Sequence, residues 1–113
     1  MRLIVAGSRT LECYDFVEAA LAPYIPELTC IISGGARGVD RLGQRFAKEN
    51  GIPLEIYRAD WDSYGKAAGY RRNVQMAEVA DALAAFWDGE SKGTGHMIDI
   101  ATKRDLKVLV FAP

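Results

Sequence analysis

Short, nearly unbroken apolar runs alternate with stretches of helical period along the whole chain, and this alternation restricts the fold more than any other feature. The first run, Arg2–Ala6, is closed by Gly7. A helical face of Cys13, Phe16, Val17, Ala20 and Leu21 follows and is stopped by Pro23 and Pro26. Thr29–Ser33 reads as a second strand, closed by Gly34-Gly35. Val39, Leu42, Gly43, Phe46 and Ala47 mark a second helix, ended by Asn50-Gly51 and Pro53. Leu54–Arg58 reads as a third strand, Ala59–Ala67 as a polar and aromatic loop, and Gly69–Ala80 as a third helix. Ala82–Trp87 closed by Asp88-Gly89, a helix from Thr94 to Arg104, and Lys107–Phe111 complete a βαβαβαβαβ order.

Such alternation predicts a parallel sheet with right-handed crossovers. The first, second, fourth and fifth strands are almost continuously apolar, as expected of strands covered on both faces. The expected architecture is a single three-layer α/β domain over residues 1–113, a five-stranded parallel sheet with helices on both faces. A chain of 113 residues buries about two-thirds of its surface, enough for one core without disulfide or metal staples. Cys13 and Cys30 form no CxxC pair and His96 is the sole histidine, so a zinc site with its roughly four N or S ligands is excluded. Both thiols are expected to be buried as small hydrophobes, Cys13 on its helical stripe and Cys30 in its strand. No apolar run approaches the ~18 residues of a membrane span. The N-terminal run is too short for a signal-peptide core, so a cytoplasmic location is the expectation.

Fourteen Lys and Arg against fifteen Asp and Glu give a net charge of −1. A generally basic surface is thereby excluded, and any anion site must be local. In an open parallel sheet, ligands bind beyond the C-terminal ends of the strands. That rim consists here of Gly7-Ser8-Arg9-Thr10, Ser33 to Gly38, Asp60 to Asn73, and Asp88 to Thr94. It carries eight of the eleven glycines together with Arg9, Arg37, Lys66, Arg71, Arg72 and Lys92. The opposite rim holds mainly prolines and helix stops. Glycine admits a close backbone approach, helix N-termini present unpaired N–H donors, and the cations add full charge. Together they specify an anion site, and phosphate is the commonest anion held this way.

Each motif also has a plainer reading. Ser33-Gly34-Gly35-Ala36-Arg37-Gly38-Val39-Asp40 has the strand, glycine pair and helix of a phosphate cradle, without a Walker A or GxGxxG pattern. A tight turn with Asp40 favouring the helix start explains everything except Arg37. In Gly89-Glu90-Ser91-Lys92-Gly93-Thr94 the lysine precedes the glycine, so the Walker register is absent. The Ser91 and Thr94 hydroxyls and the Gly93 amide gather at a helix start, where Thr94 also suits an N-cap. Gly7-Ser8-Arg9 gains weight if the first and fourth strands are neighbours, because its loop then faces Asp88–Thr94 across one crevice. Trp61 and Tyr64 would stack on a base or cap a pocket, or else fold onto the nearest helix. Arg72 and Asn73 lie in the first turns of a helix, where positive charge opposes the dipole, and this suggests an external anion. Asp88 suits a ribose hydroxyl, a water, or a turn with Gly89. His96 suits a general acid or base, or a surface cap.

Taken in order, Gly7-Ser8-Arg9, Ser33 to Asp40, Ala59-Asp60-Trp61 with Tyr64 to Gly69, Arg72-Asn73 with Met76, and Phe86-Trp87-Asp88-Gly89 with Ser91 to Thr94 resemble one family. It is the YspA/YpsA-related branch of the SLOG superfamily, named for the DNA-processing Smf/DprA proteins and the Lonely Guy phosphoribohydrolases. The resemblance covers nearly the whole chain. It implies a Rossmann-like fold that binds a nucleotide or nucleotide-derived ligand at its glycine-rich loops, and homodimerisation. The superfamily's hydrolases cleave the N-glycosidic bond of nucleoside monophosphates with a Pro-Gly-Gly-x-Gly-Thr-x-x-Glu motif and an upstream arginine. Gly93-Thr94 matches the Gly-Thr and Arg72 the arginine, but the glutamate position is Met97. Methionine neither stabilises oxocarbenium charge nor activates water. A helix turns ~100° per residue, so His96 and Asp99 do not point as residue 97 does.

The first expectation is therefore a domain that binds a nucleotide-like phosphate ligand, as a sensor or as part of a larger system. The second is a nucleoside-monophosphate N-glycosidase, with Arg72 holding phosphate or ribose and Asp88, His96 or Asp99 supplying the acid or base. The third is single-strand nucleic-acid binding, disfavoured by the net charge but kept open by the basic cluster and by Trp61 and Tyr64. No cofactor, metal or membrane partner is implied.

Overall fold

In the computed structural model, which describes all 113 residues, five strands form one parallel sheet in the order β3-β2-β1-β4-β5. They are β1 (Arg2–Gly7), β2 (Cys30–Ser33), β3 (Leu54–Ile56), β4 (Ala82–Phe86) and β5 (Lys107–Phe111). The helices are α1 (Tyr14–Leu21), α2 (Val39–Glu49), α3 (Trp61–Tyr64), α4 (Ala68–Val79) and α5 (Lys92–Lys103). Side chains alternate across a strand, so each central strand feeds both faces. Leu3, Val5, Ala82, Ala84 and Phe86 pack with Val17 and Leu21 of α1 and Val39 and Phe46 of α2. Ile4, Ala6, Leu83 and Ala85 pack with Met76 and Ala77 of α4 and Met97 and Ala101 of α5. The result is the expected three-layer, Rossmann-like fold. No helix is long and apolar enough to cross a membrane.

The chain runs outward from β1 through β2 to β3, then returns to lay β4 on the other side of β1. Gly7 is in register with Phe86, so β1 and β4 end together. Strand order reverses at this pair, and a crevice opens beyond their carboxyl ends, where open α/β sheets bind ligands.

Several expectations are corrected. Cys13 is exposed, because it is the extended residue before α1 (φ −81°, ψ 99°) and is not part of the helical stripe. Cys30 is buried as expected. The fifth strand is only partly covered, with Val110 51 % exposed, because β5 is an edge with one neighbour. The third strand stops at Ile56, which leaves Arg58 on the rim. The loop Ala59–Ala67 is largely helical. Asp60 accepts the Ser63 amide at 3.1 Å and so caps the single turn α3, and a 3₁₀ turn over Gly65–Ala67 leads into α4.

Candidate functional site

Two helix N-termini face the crevice, and their amides are used differently. At α2 and in the loop before it, several donors are used within the chain. The Val39 amide donates to the Ser8 carbonyl at 3.3 Å. The Gly35 amide donates to Ser33 Oγ at 3.2 Å, and the Ala36 amide to Asp40 Oδ2 at 3.1 Å. Ser33, fully buried, also donates to the Asp40 carbonyl and accepts from Gln44. The loop that reads as a phosphate cradle thus spends the amides of Gly35 and Ala36 on its own side chains. Its glycines make room: a Cβ on Gly34 would lie 2.7 Å from Arg72 Cζ, and one on Gly38 would lie 2.5 Å from the Ser8 carbonyl oxygen.

At α5 the arrangement is open. Asp88 Oδ1 accepts the Glu90 and Ser91 amides at 2.8 and 2.9 Å, and Trp87 Nε1 donates to the Ser91 carbonyl at 3.0 Å. These bonds hold the preceding loop and leave the first-turn amides of Lys92, Gly93 and Thr94 without intrahelical partners. Ser91 and Thr94 hydroxyls meet at 3.1 Å, and neither caps the helix. No acidic residue lies in this first turn to neutralise the dipole.

Between these termini lies a hollow of about 370 Å³. Gly7, Ser8 and Arg9 form one wall, Ala36 and Asp40 the α2 side, and Arg72, Asn73 and Met76 the α4 side. Asp88, Ser91, Gly93, Thr94 and Met97 close it. Ser8 Oγ is buried here, in a residue 3 % exposed, and has no hydrogen-bond partner. It lies beside the Asp88 carboxylate without the geometry of a bond. The Ser91 and Glu90 amides above all, with Ser8 adding a little, hold Asp88 below the usual carboxylate range. A buried hydroxyl without a hydrogen bond, in a residue that lines a polar hollow, is a candidate ligand contact.

Arg72 is fixed in the centre. Its Nη1 donates to the Gly34 carbonyl at 2.6 Å and its Nε to Asn73 Oδ1 at 3.1 Å. Burial lowers its pKa, while Asp40 acts to raise it. Asn73 in turn donates from Nδ2 to the Gly93 carbonyl and to His96 Nδ1, both at 3.2 Å, and so locks α4 to α5. Accepting that bond places the proton of a neutral His96 on Nε2, and burial favours the neutral form by lowering its pKa. The Tyr70 ring meets His96 edge to face at 4.4 Å.

The structure brings together on the main hollow Gly7, Ser8, Arg9, Ala36, Asp40, Arg72, Asn73, Asp88, Ser91, Gly93 and Thr94. Gly34, Gly35, Arg37 and Trp61 line an adjoining hollow, and Lys66 a third, smaller one. Ser33, Gly38, Tyr64, Lys92, His96 and Asp99 line none of the three. Ser33 and Gly38 shape the loop instead, and Tyr64 lies under the Arg71 guanidinium, 4.0 Å from its ring centroid. Met97, where the hydrolases carry glutamate, is 1 % exposed and forms part of the wall. His96 and Asp99 flank it outside the hollow, so of the carboxylate or base candidates only Asp88 reaches the cavity. Asp40 is a second carboxylate there. Sequence reading missed Arg41 and Arg58, both on the adjoining hollow. Arg41 lies in the first turn of α2, where positive charge opposes the helix dipole, and that placement was the signal for the first. No sequence signal marks Arg58, which an overlong third strand conceals.

Comparison with known proteins agrees with this architecture. The Gene 61 protein of Mycobacterium phage D29 is 36 % identical over 119 residues, covering 97 % of this chain and 95 % of the phage protein. The X-ray structure of DNA processing protein A (DprA) from Streptococcus pneumoniae superposes with a TM-score of 0.78 at 20 % identity, over 96 % of this chain. The chain spans about half that protein, 49 % of its length. The sequence model of the YspA, cpYpsA-related SLOG family matches residues 1–64. With that match over more than half its length and a relative aligned almost end to end, the chain belongs to the YspA, cpYpsA-related SLOG family.

Proposed function

We propose that the crevice between β1 and β4 binds the phosphate of a nucleotide or nucleotide-derived ligand. The observation that carries this reading is the open N-terminus of α5 facing the unpartnered, buried Ser8 hydroxyl and the anchored Arg72. Amides, hydroxyls and a guanidinium converge there on one space, and this set of donors suits a phosphate oxygen. The Asp88 carboxylate, ionised at neutral pH, suits the hydroxyls of a ribose. A fold neighbour named for DNA processing is consistent with a nucleotide chemistry for the site.

Gly93→Asp is the sharpest test. A Cβ at this position meets nothing within 4 Å, so the fold accepts the side chain, and a carboxylate at a helix N-terminus favours the helix. The same charge repels a bound phosphate. The expected result is an unchanged or slightly raised Tm with affinity for the best-binding nucleotide of a panel lowered roughly tenfold. Undiminished affinity in this variant would remove α5 from the site, and no binding by the unaltered protein to any nucleoside phosphate would end the proposal.

A further inference from the structure

Next to the crevice, and joined to it through Arg9, Ala36 and Arg72, lies a second hollow of about 390 Å³. Five arginines line it, Arg9, Arg37, Arg41, Arg58 and Arg72, together with Trp61, which is 51 % exposed, and no carboxylate does. Elsewhere the chain gives its arginines partners. Arg2, Arg45 and Arg104 hold glutamates at 2.8, 2.8 and 3.8 Å, and Arg71 covers Tyr64. Of nine arginines in the sequence, the five with neither a carboxylate nor an aromatic ring as partner are the five in this hollow. Only Arg72 among them has an internal hydrogen bond to a carbonyl.

We infer that this hollow receives a second phosphate of the ligand whose first phosphate sits at α5, so that the preferred ligand is a nucleotide with two linked phosphates. The inference rests on the nucleotide reading of the crevice. Like charges gathered in one concavity repel each other, and an anion bound between them relieves that repulsion. Guanidinium forks match phosphate oxygens in pairs, which ammonium groups do not. The backbone is shaped for the same purpose. A Cβ on Gly34 would lie 2.7 Å from Arg72 Cζ, and one on Gly35 would lie 3.1 Å from Arg58 Nη1, so both glycines sit close beneath guanidinium groups. A glycine pair that reads as a cradle of amides therefore serves as a seat for two guanidinium groups.

Confinement of the charge favours a small ligand over a nucleic-acid strand. A strand track needs cationic charge that continues along the surface, whereas beyond this hollow the arginines are already engaged and Lys66, on the third hollow, is the one lining cation that extends the charge. Trp61 at the rim offers a ring face to the ligand's second half.

The test is calorimetric titration of the full chain with the nucleoside mono- and diphosphates of each base, ADP-ribose, and two oligothymidylates of different length. Unaltered protein, Arg41→Ala, Arg58→Ala and Arg58→Lys are compared, and their Tm values confirm folding. Unaltered protein should bind the diphosphate more tightly than the monophosphate. Each alanine variant should weaken the diphosphate roughly tenfold, as loss of a charge-assisted hydrogen bond does, and leave the monophosphate within about twofold. Arg58→Lys should restore only part of the loss. Equal affinity for mono- and diphosphate, or equal weakening of both, overturns the second subsite while leaving the crevice reading intact. Affinity for oligothymidylate that grows with length and exceeds that for the diphosphate also overturns it, in favour of a strand track. If the unaltered protein binds no nucleotide, both readings fall together.

Discussion

Gly38→Ala should lower the stability of the fold by roughly 3 kcal/mol, from backbone strain and a steric collision of about 1–3 kcal/mol each. Gly38 has φ 77° and ψ −132°, a region that only glycine occupies comfortably. An added Cβ would stand 2.5 Å from the Ser8 carbonyl oxygen and 2.6 Å from Arg9 Cα, both backbone atoms. Neither can retreat freely. The Ser8 carbonyl accepts from Val39 and Leu11 at 3.3 and 3.4 Å, while the Ser8 amide donates to the Phe86 carbonyl at 3.1 Å. Relief of the collision must therefore shift the joint at which the β1 loop, β4 and α2 meet. Thermal denaturation should show a Tm lower by roughly 10 °C, and nucleotide affinity should fall in the protein that remains folded, because Ser8 and Arg9 are a wall of the crevice. A Tm shift below about 2 °C would show that this backbone does not adopt the conformation described.

The layers of the fold are legible in the sequence because they depend on periodicity. Each β1 residue from Leu3 to Ala6 is apolar since both faces are covered, and α2 shows its buried edge at Val39, Phe46 and Ala47. Edge position is not a periodic property. β5 is as apolar in sequence as β2, yet Val110 faces solvent, and only the pairing order distinguishes the two strands. The rim was legible as a set of loops, and its glycines and cations do border shared hollows. What each residue does there was less legible. Amides of Gly35 and Ala36 look available in a sequence, but Ser33 and Asp40 consume them, and such side-chain closures depend on angles that spacing does not encode. Arg72 seemed misplaced against a helix dipole. Its carbonyl partner Gly34 is 38 residues away in the chain, and that distance hid the compensation.

Asp40→Asn should stabilise the protein at pH 7.5 by about 2–3 kcal/mol. Asp40 is 6 % exposed, and burial pushes its carboxyl up to about 6 from an ordinary 3.8, against the opposing pull of the Ala36 amide, Arg72 and Arg9. A raised folded-state pKa means that the protonated form is favoured by folding. That contribution is complete below about pH 4, where the group is protonated folded or unfolded, and it is lost as pH rises through about 6. Above this window the folded protein holds a costly buried carboxylate. Asparagine keeps an oxygen for the Ala36 amide and removes the charge. Denaturant titrations should therefore show the two proteins converging between about pH 6 and 4 and separating at neutral pH. The difference between them isolates Asp40 from Glu49, Glu55 and Asp88, whose lowered pKa values act in the opposite direction as pH falls. Asp40 also borders the crevice, so a bound anion should raise its pKa further and take up a proton. With ADP-ribose, whose charge is constant across the window, affinity should strengthen as pH falls through about 6 and become flat in Asp40→Asn. A slope that survives the substitution would assign the proton to another group, and His96, which lies off the crevice and whose pKa burial lowers, would be the first to examine.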